Sequence, residues 1–225
     1  MATKIDKRAR RRAPLSRERI LRTAVAMADS AGVEAASMRK IAQELGVVPM
    51  ALYKHVANKD ELLDGMVDVV VGEIDPPPTD VDWKTAVRRR ILSARQTLHR
   101  HPWASRVMES RTDPTPTMLE YMDSMIGMFR AGGLSMDLTH HAMHAMGSRL
   151  LGFSQELFND SDGVDMESEA ERFAAISGMY PHIYELLLTV THDDESVVGP
   201  GCDDQFEFEF ALDLLLDGLE RMKER

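Results

Sequence analysis

The stretch SMRKIAQELGVVPMALYKHVANKDELLDG, residues 37–65, constrains the fold more than any other part of the chain. Ser37 has the hydroxyl that favours a helix N-cap. Ile41, Ala42 and Leu45 then recur at helical spacing and share an inward face. Gly46 follows at once, where a helix end favours a residue that tolerates positive φ. Val47 is apolar and plugs the angle to a second short helix, and Pro49 opens that helix at a position where a missing N–H costs nothing. Leu52 and Val56, four apart, pack back onto the first helix. Asn58 followed by Glu61 is a capping-box-like start for a third helix through Leu62, Leu63, Met66, Val67 and Val70.

Two short helices around a tight glycine turn form a helix-turn-helix, a module that lays its second helix in the major groove of DNA. An upstream helix over residues 16–31 completes its small core. Ser16 caps it, Leu15 and Ile20 have hydrophobic-staple spacing, Ile20, Leu21, Ala24, Val25 and Ala28 form its stripe, and Gly32 ends it.

The order of a capped helix, MRKIAQELGV, ALYKHVANKDELL and a long helical remainder resembles the TetR/AcrR family of bacterial one-component regulators. The resemblance is specific over residues 15–75; beyond that only the helical layout and the closing FEFALDLLLDGLE are similar. It implies a homodimer with an N-terminal DNA-binding domain and a C-terminal helical domain that binds a small molecule and dimerises. Ligand binding would release the protein from its operator. By resemblance Arg39 faces bases or phosphates, with Ser37 and Lys40 near the backbone. A guanidinium offers paired donors to guanine O6 and N7, which makes Arg39 the best candidate for base recognition. Pro49 heads the recognition helix. Met50 and Ala51 suit thymine methyls; Tyr53, His55 and Lys59 suit phosphates, and Lys54 a base. With so few polar groups at the head of that helix, part of the discrimination falls to DNA shape.

Charge agrees with this reading. Residues 1–60 hold 13 Lys/Arg against 6 Asp/Glu, whereas the whole chain carries a net charge of −10. A basic end on an acidic body suits a DNA-binding protein, because phosphate contacts are local. The run KIDKRARRR at residues 4–12 is either a solvated charge run or an arm that follows the DNA backbone. The 225 residues suffice for a two-domain, all-α chain. The expected division is a basic arm at 1–14, the helix-turn-helix domain at 15–60, a connecting helix at 61–75 and a helical ligand-binding and dimerisation domain at 81–225. DPPPTD at 75–80 breaks the chain between them. Helices are expected from Trp83 to His99, Trp103 to Glu109, and over 115–131, 136–158, 168–190 and 204–223.

In the second domain, Met118, Met122, Met125 and Phe129, with Tyr121 beside them, line one helix face. Met143, Met146, Leu150 and Phe153 line another. Such stripes are either plain core or the wall of an apolar, adaptable pocket for a hydrophobic effector. Arg88, Arg111 and His144 are candidate polar groups in it, Trp103 is a further candidate for its lining, and Trp83 and Trp103 bracket the domain's first helix. The dimer expectation rests on Phe208, Leu212, Leu215, Leu219 and Met222 on the last helix, where an apolar band is too wide for one core. Leu138, Ala142, Ala145 and Gly152 add a small-residue face, giving a four-helix bundle between subunits.

His140 and His144 have i, i+4 spacing, which suits either a metal or ordinary surface or core histidines; without a glutamate in an HExxH pattern a zinc protease is unsupported, and neither metal nor cofactor is expected. No phosphate-binding glycine loop or GxSxG elbow is present, so an enzyme is not expected. Cys202 is the sole cysteine, which excludes an intrachain disulfide and, with no apolar span or leader, suggests the cytoplasm and no membrane. The expected function is a ligand-responsive repressor. An activator or protein-responsive regulator, and a helical binder or enzyme with a vestigial DNA-binding head, are the alternatives.

Overall fold

The computed structural model describes residues 14–151, 178–182 and 204–223. The basic arm, Gly152, Phe153, Cys202 and nearly all of the helix expected over 168–190 lie outside these. Every regular element among the described residues is helical. The chain divides into two compact units, the first ending at Thr139 and the second beginning at His140.

The first unit opens with α1 (Arg17–Ala31). Ser16 Oγ accepts from the Arg19 N–H at 3.2 Å, and Gly32 terminates the helix with φ +79°. A 3₁₀ turn at Val33–Ala35, unanticipated in the sequence, leads to α2 (Met38–Leu45). α2 ends at Gly46, whose φ of +68° is left-handed, so its N–H reaches back to the Ala42 and Gln43 carbonyls. α3 (Pro49–Leu52) is a single regular turn, and α4 (Lys59–Val71) follows. Asn58 Oδ1 caps α4 by accepting from the Glu61 N–H at 2.8 Å. Glu61 Oε2 returns the bond one residue earlier than a standard capping box, accepting from the Ala57 N–H at 2.7 Å.

Ile20, Ala24, Ile41, Leu52, Val56 and Met66 are all fully buried and make the core of this head. α1 crosses α4 closely at Gly65, where an added Cβ would sit 2.6 Å from a Leu21 methyl carbon. A small residue at that crossing is therefore a packing requirement.

Beyond Asp82, which caps the next helix through the Thr85 N–H, lie α5 (Trp83–Arg100), α6 (Ala104–Ser110) and α7 (Pro116–Ala131). α4 packs against all three, so the connecting helix is the spine of the first unit. The Trp83 ring lies 6.1 Å from that of Phe129 and packs against Gly132. α8 (Met136–Leu151) begins in the first unit and continues into the second. The second unit also contains α9 (Asp204–Lys223). There Arg149 links the two helices, donating to the Glu207 carbonyl at 3.1 Å and lying 5.2 Å from the centre of the Phe208 ring.

Candidate nucleic-acid interface and its link to the helical body

The residues expected to meet DNA are brought to one end of the head. Ser37 Oγ accepts from the Lys40 N–H at 3.4 Å, so its hydroxyl holds the first turn of α2 and sits beside the exposed Arg39 and Lys40. Leu52 and Val56 are both 0% exposed, which fixes the rotation of the α3 segment. The opposite side is thereby forced outward: Val48 is 68% exposed, Met50 71% and Tyr53 44%, with Pro49 and Lys54 also exposed. Ala51 and His55 are half-buried at the edge of this face. Lys59 lies 3.6 Å from Glu34 in a solvent-exposed pair, which holds its ammonium only weakly. Large apolar side chains pointing into water at a helix head have no role in the head's own packing. A groove lined with thymine methyl groups is a surface they suit.

The residues expected to meet an effector are not all gathered in one place. Met125 and Phe129 are buried in the first unit, whereas Met118 and Tyr121 are half-buried and Met122 is exposed. In the second unit Met146 is buried, Met143 and Leu150 are half-buried and His144 is exposed. The His140 and His144 rings meet edge-on at 4.6 Å, both exposed, and no cluster of metal-ligating side chains occurs among the described residues.

Two of the candidates are instead committed to the DNA-binding head. Trp103 is buried and its indole N–H donates to Asp29 Oδ1 of α1 at 2.7 Å. Arg111, just past α6, bridges successive turns of α4, with Nη1 2.9 Å from Asp60 Oδ1 and Nε 2.7 Å from Asp64 Oδ1. These bonds favour the charged guanidinium and raise its pKa, the Asp60 bond most strongly.

Sequence reasoning missed a histidine two residues before Trp103. His101 is buried between two carboxylates, Nδ1 at 2.7 Å from Asp29 and Nε2 at 3.2 Å from Glu73, where Arg100 also bonds at 3.2 Å. Partial burial pushes the Glu73 carboxyl up. The bonds and charges of His101 and Arg100 outweigh it and hold the group below the ordinary glutamate range. The α5–α6 corner and the residue after α6 are thus fastened to both ends of α4 and to α1. Long-range partners of this kind leave no local periodicity, so no sequence signal pointed to them.

An exposed, cation-flanked helix head on a capped three-helix core, wired through α4 to a helical body, defines a DNA-binding regulator. Comparison with known proteins agrees along most of the chain. Residues 20–66 match the model for bacterial regulatory proteins of the tetR family, and residues 75–223 match the tetracyclin repressor-like C-terminal domain. The HTH-type transcriptional repressor DrrR1 of Streptomyces coeruleorubidus is 32% identical over 219 residues, covering 92% of this chain and 77% of its own. The class C tetracycline repressor protein of Escherichia coli is 25% identical, covering 93% of this chain and 92% of its own. Among solved structures, the Streptomyces coelicolor TetR family protein ActR in complex with actinorhodin aligns with a TM-score of 0.71 at 26% identity, covering 95% of this chain and all of that one.

The chain belongs to the tetR family of bacterial regulatory proteins. It is a ligand-responsive, DNA-binding transcriptional repressor with an all-helical fold. No helix among the described residues is long and apolar enough to cross a membrane.

Proposed function

We propose that the chain acts as a homodimer on a palindromic operator and that a hydrophobic aromatic effector releases it. The observation that carries the reading is the outward face of α3, set by the complete burial of Leu52 and Val56. On this reading Arg39 reads a guanine edge, and Met50 and Ala51 meet thymine methyls beside Pro49. Ser37, Lys40, Tyr53, Lys54, His55 and Lys59 fix the register on the phosphates.

On this reading the helix-turn-helix head is residues 15–60, residues 61–75 connect it to the body, and the effector and dimer functions lie beyond residue 81. Two heads would engage successive major grooves about 34–36 Å apart. Exposed Phe206, Phe210, Leu214 and Met222 lie at four-residue multiples along α9, with Gly218 between, and support that ridge as the partner-facing surface. Phe208, Leu212 and Leu219 from the expected stripe are buried within the chain, and Leu215 is half-buried. They would back the interface from inside, with Leu138, Ala142 and Ala145 on α8 supporting it.

The methionine-rich face of α7 favours an adaptable apolar effector site. ActR, bound to actinorhodin in its crystal structure, supports a polycyclic aromatic effector class here. A shift of α6 on binding would pull on Asp29, Asp60 and Asp64 together, which reorients the heads. Gel retardation of the DNA upstream of the chain's own coding sequence tests the reading. Binding that weakens steeply with salt and is reversed by an anthraquinone supports it; indifference to every DNA tested refutes it. Sedimentation as a monomer at micromolar concentration would refute the dimer.

A further inference from the structure

Arg90 is a deeply buried cation of the first unit. It is only 7% exposed, and among the described residues its guanidinium makes no contact ion pair, the Asp75 carboxylate attracting it only from further off. Nη1 lies 3.5 Å from the Ile74 carbonyl, at the outer limit of a hydrogen bond, and Nε has no hydrogen-bond partner. Its remaining support is the face of Tyr121, whose ring centre is 4.9 Å from Cζ. The Tyr121 hydroxyl is itself buried and has no hydrogen-bond partner. Burial pushes that phenol up to about 12, so it keeps its proton as a donor at neutral pH.

This contrasts with the way the same unit treats another sheltered cation, because Arg111 is matched to two carboxylates. A buried charge that a carboxylate reaches only from a distance is costly, and buried donors without acceptors add to that cost. Two neighbouring donors, Arg90 Nε and the Tyr121 hydroxyl, have no hydrogen-bond acceptor among the described residues. Met118, Met125 and Phe129 recur at helical spacing with Tyr121 along α7, so the donors sit at the edge of an apolar face.

We propose that Arg90 and Tyr121 are the polar anchor of the effector site and that they select an aromatic effector carrying an ionised carboxylate. The inference rests on the ligand-responsive reading and adds the chemistry of the recognised group. A carboxylate accepts from Arg90 Nε and from the Tyr121 hydroxyl while the fused rings lie against the methionine face. The anchor also has a route to the DNA-binding head: Arg90 touches the Ile74 carbonyl just past α4, and the next N–H, of Asp75, donates to buried Ser93 Oγ of α5 at 2.9 Å. A ligand that takes over the guanidinium therefore loosens one tie at the end of the spine.

The test compares anthraquinone-2-carboxylate with its methyl ester by calorimetric titration of the full chain. The wild type should bind the acid at least about tenfold more tightly than the ester, the factor expected of one charge-assisted bond. Arg90→Met should abolish that preference while the thermal midpoint stays level or rises, because a buried charge that burial disfavours has been removed. Tyr121→Phe should weaken acid binding several-fold and leave the ester unchanged, and it carries the comparison if Arg90→Met does not fold. Equal binding of acid and ester by the wild type, no binding of either, or a preference that survives both substitutions would overturn the proposal. Retardation of the upstream DNA by unliganded protein is read in the same samples. Its failure counts against the regulator reading and leaves the anchor to be judged by the titration.

Discussion

The DNA-binding head and the helices packed behind it solve the burial problem in opposite ways. Among the described residues, every buried polar or charged side chain lies between Arg90 and Thr139, and residues 14–75 contribute none. The head keeps its polar groups at the surface, where Ser16, Ser37 and Asn58 cap helices, and fills its interior with Ile20, Ile41, Leu52 and Met66. The body takes Arg90, Arg95, Thr97, His101, Thr115 and Thr139 inside. A dry core specifies one rigid shape. A core with embedded polar groups has arrangements that a ligand or a proton can shift by satisfying or stranding them. Rigidity is placed where a DNA surface must be matched, and adjustability where a signal must be received.

The largest expected break in this contrast comes from the head's core. Leu52→Ala removes the side chain that sets the rotation of α3 and should cost about 2–5 kcal/mol of stability, read by denaturant titration, with loss of DNA retardation. A smaller loss would mean that the head repacks around the cavity and is less rigid than its dry core implies. Next in size is Asp29→Ala, which strands the Trp103 indole N–H and Nδ1 of His101 inside the body. It should cost about 1–3 kcal/mol in the same titration and alter effector release more than unliganded DNA affinity. Arg39→Ala should leave stability unchanged and weaken specific DNA binding by about 1–3 kcal/mol in salt-controlled gel retardation. Equal loss on unrelated DNA would make Arg39 a phosphate contact.

The smallest effect concerns Glu73. Its carboxyl titrates below the ordinary range in the folded chain, so its contribution is present above the unfolded value and is lost as pH falls through the folded one. Thermal midpoints of wild type and Glu73→Gln should therefore converge on acidification through the carboxylate range. Because Glu73 is well exposed, the gap at neutral pH should be small.

The two regions also differ in how far the sequence reveals them. Caps, the Gly46 turn and the 3.6-residue stripes are local, so the head's helices could be read within a residue or two, and α5–α7 began and ended near their expected bounds. The 3₁₀ turn at Val33–Ala35 and the brevity of α3 were not legible, because both follow from how α1 and α2 seat against each other.

In the body the sequence drew attention to Arg88, Arg111 and Trp103. The structure joins Trp103 to a carboxylate 74 positions away and Arg111 to two about 50 away. Arg90 was overlooked within the run Arg88-Arg89-Arg90, although one signal for it exists. It stands four after Ala86, three after Val87 and four before Ala94, on the stripe that is buried. A charge in phase with an apolar stripe is a better marker of a built site than a charge near one.

The shortness of α3 limits how much text one copy can read. Four residues rise about 6 Å, less than two base-pair steps of DNA. Each wrong letter costs only about 1–3 kcal/mol, against 10⁶–10⁹ competing positions in a genome. One such reader can recognise a syllable but not an address. A unique destination on a chromosome must be spelled by several readers landing together, so anything that changes their number or spacing silences the message without touching a single base contact.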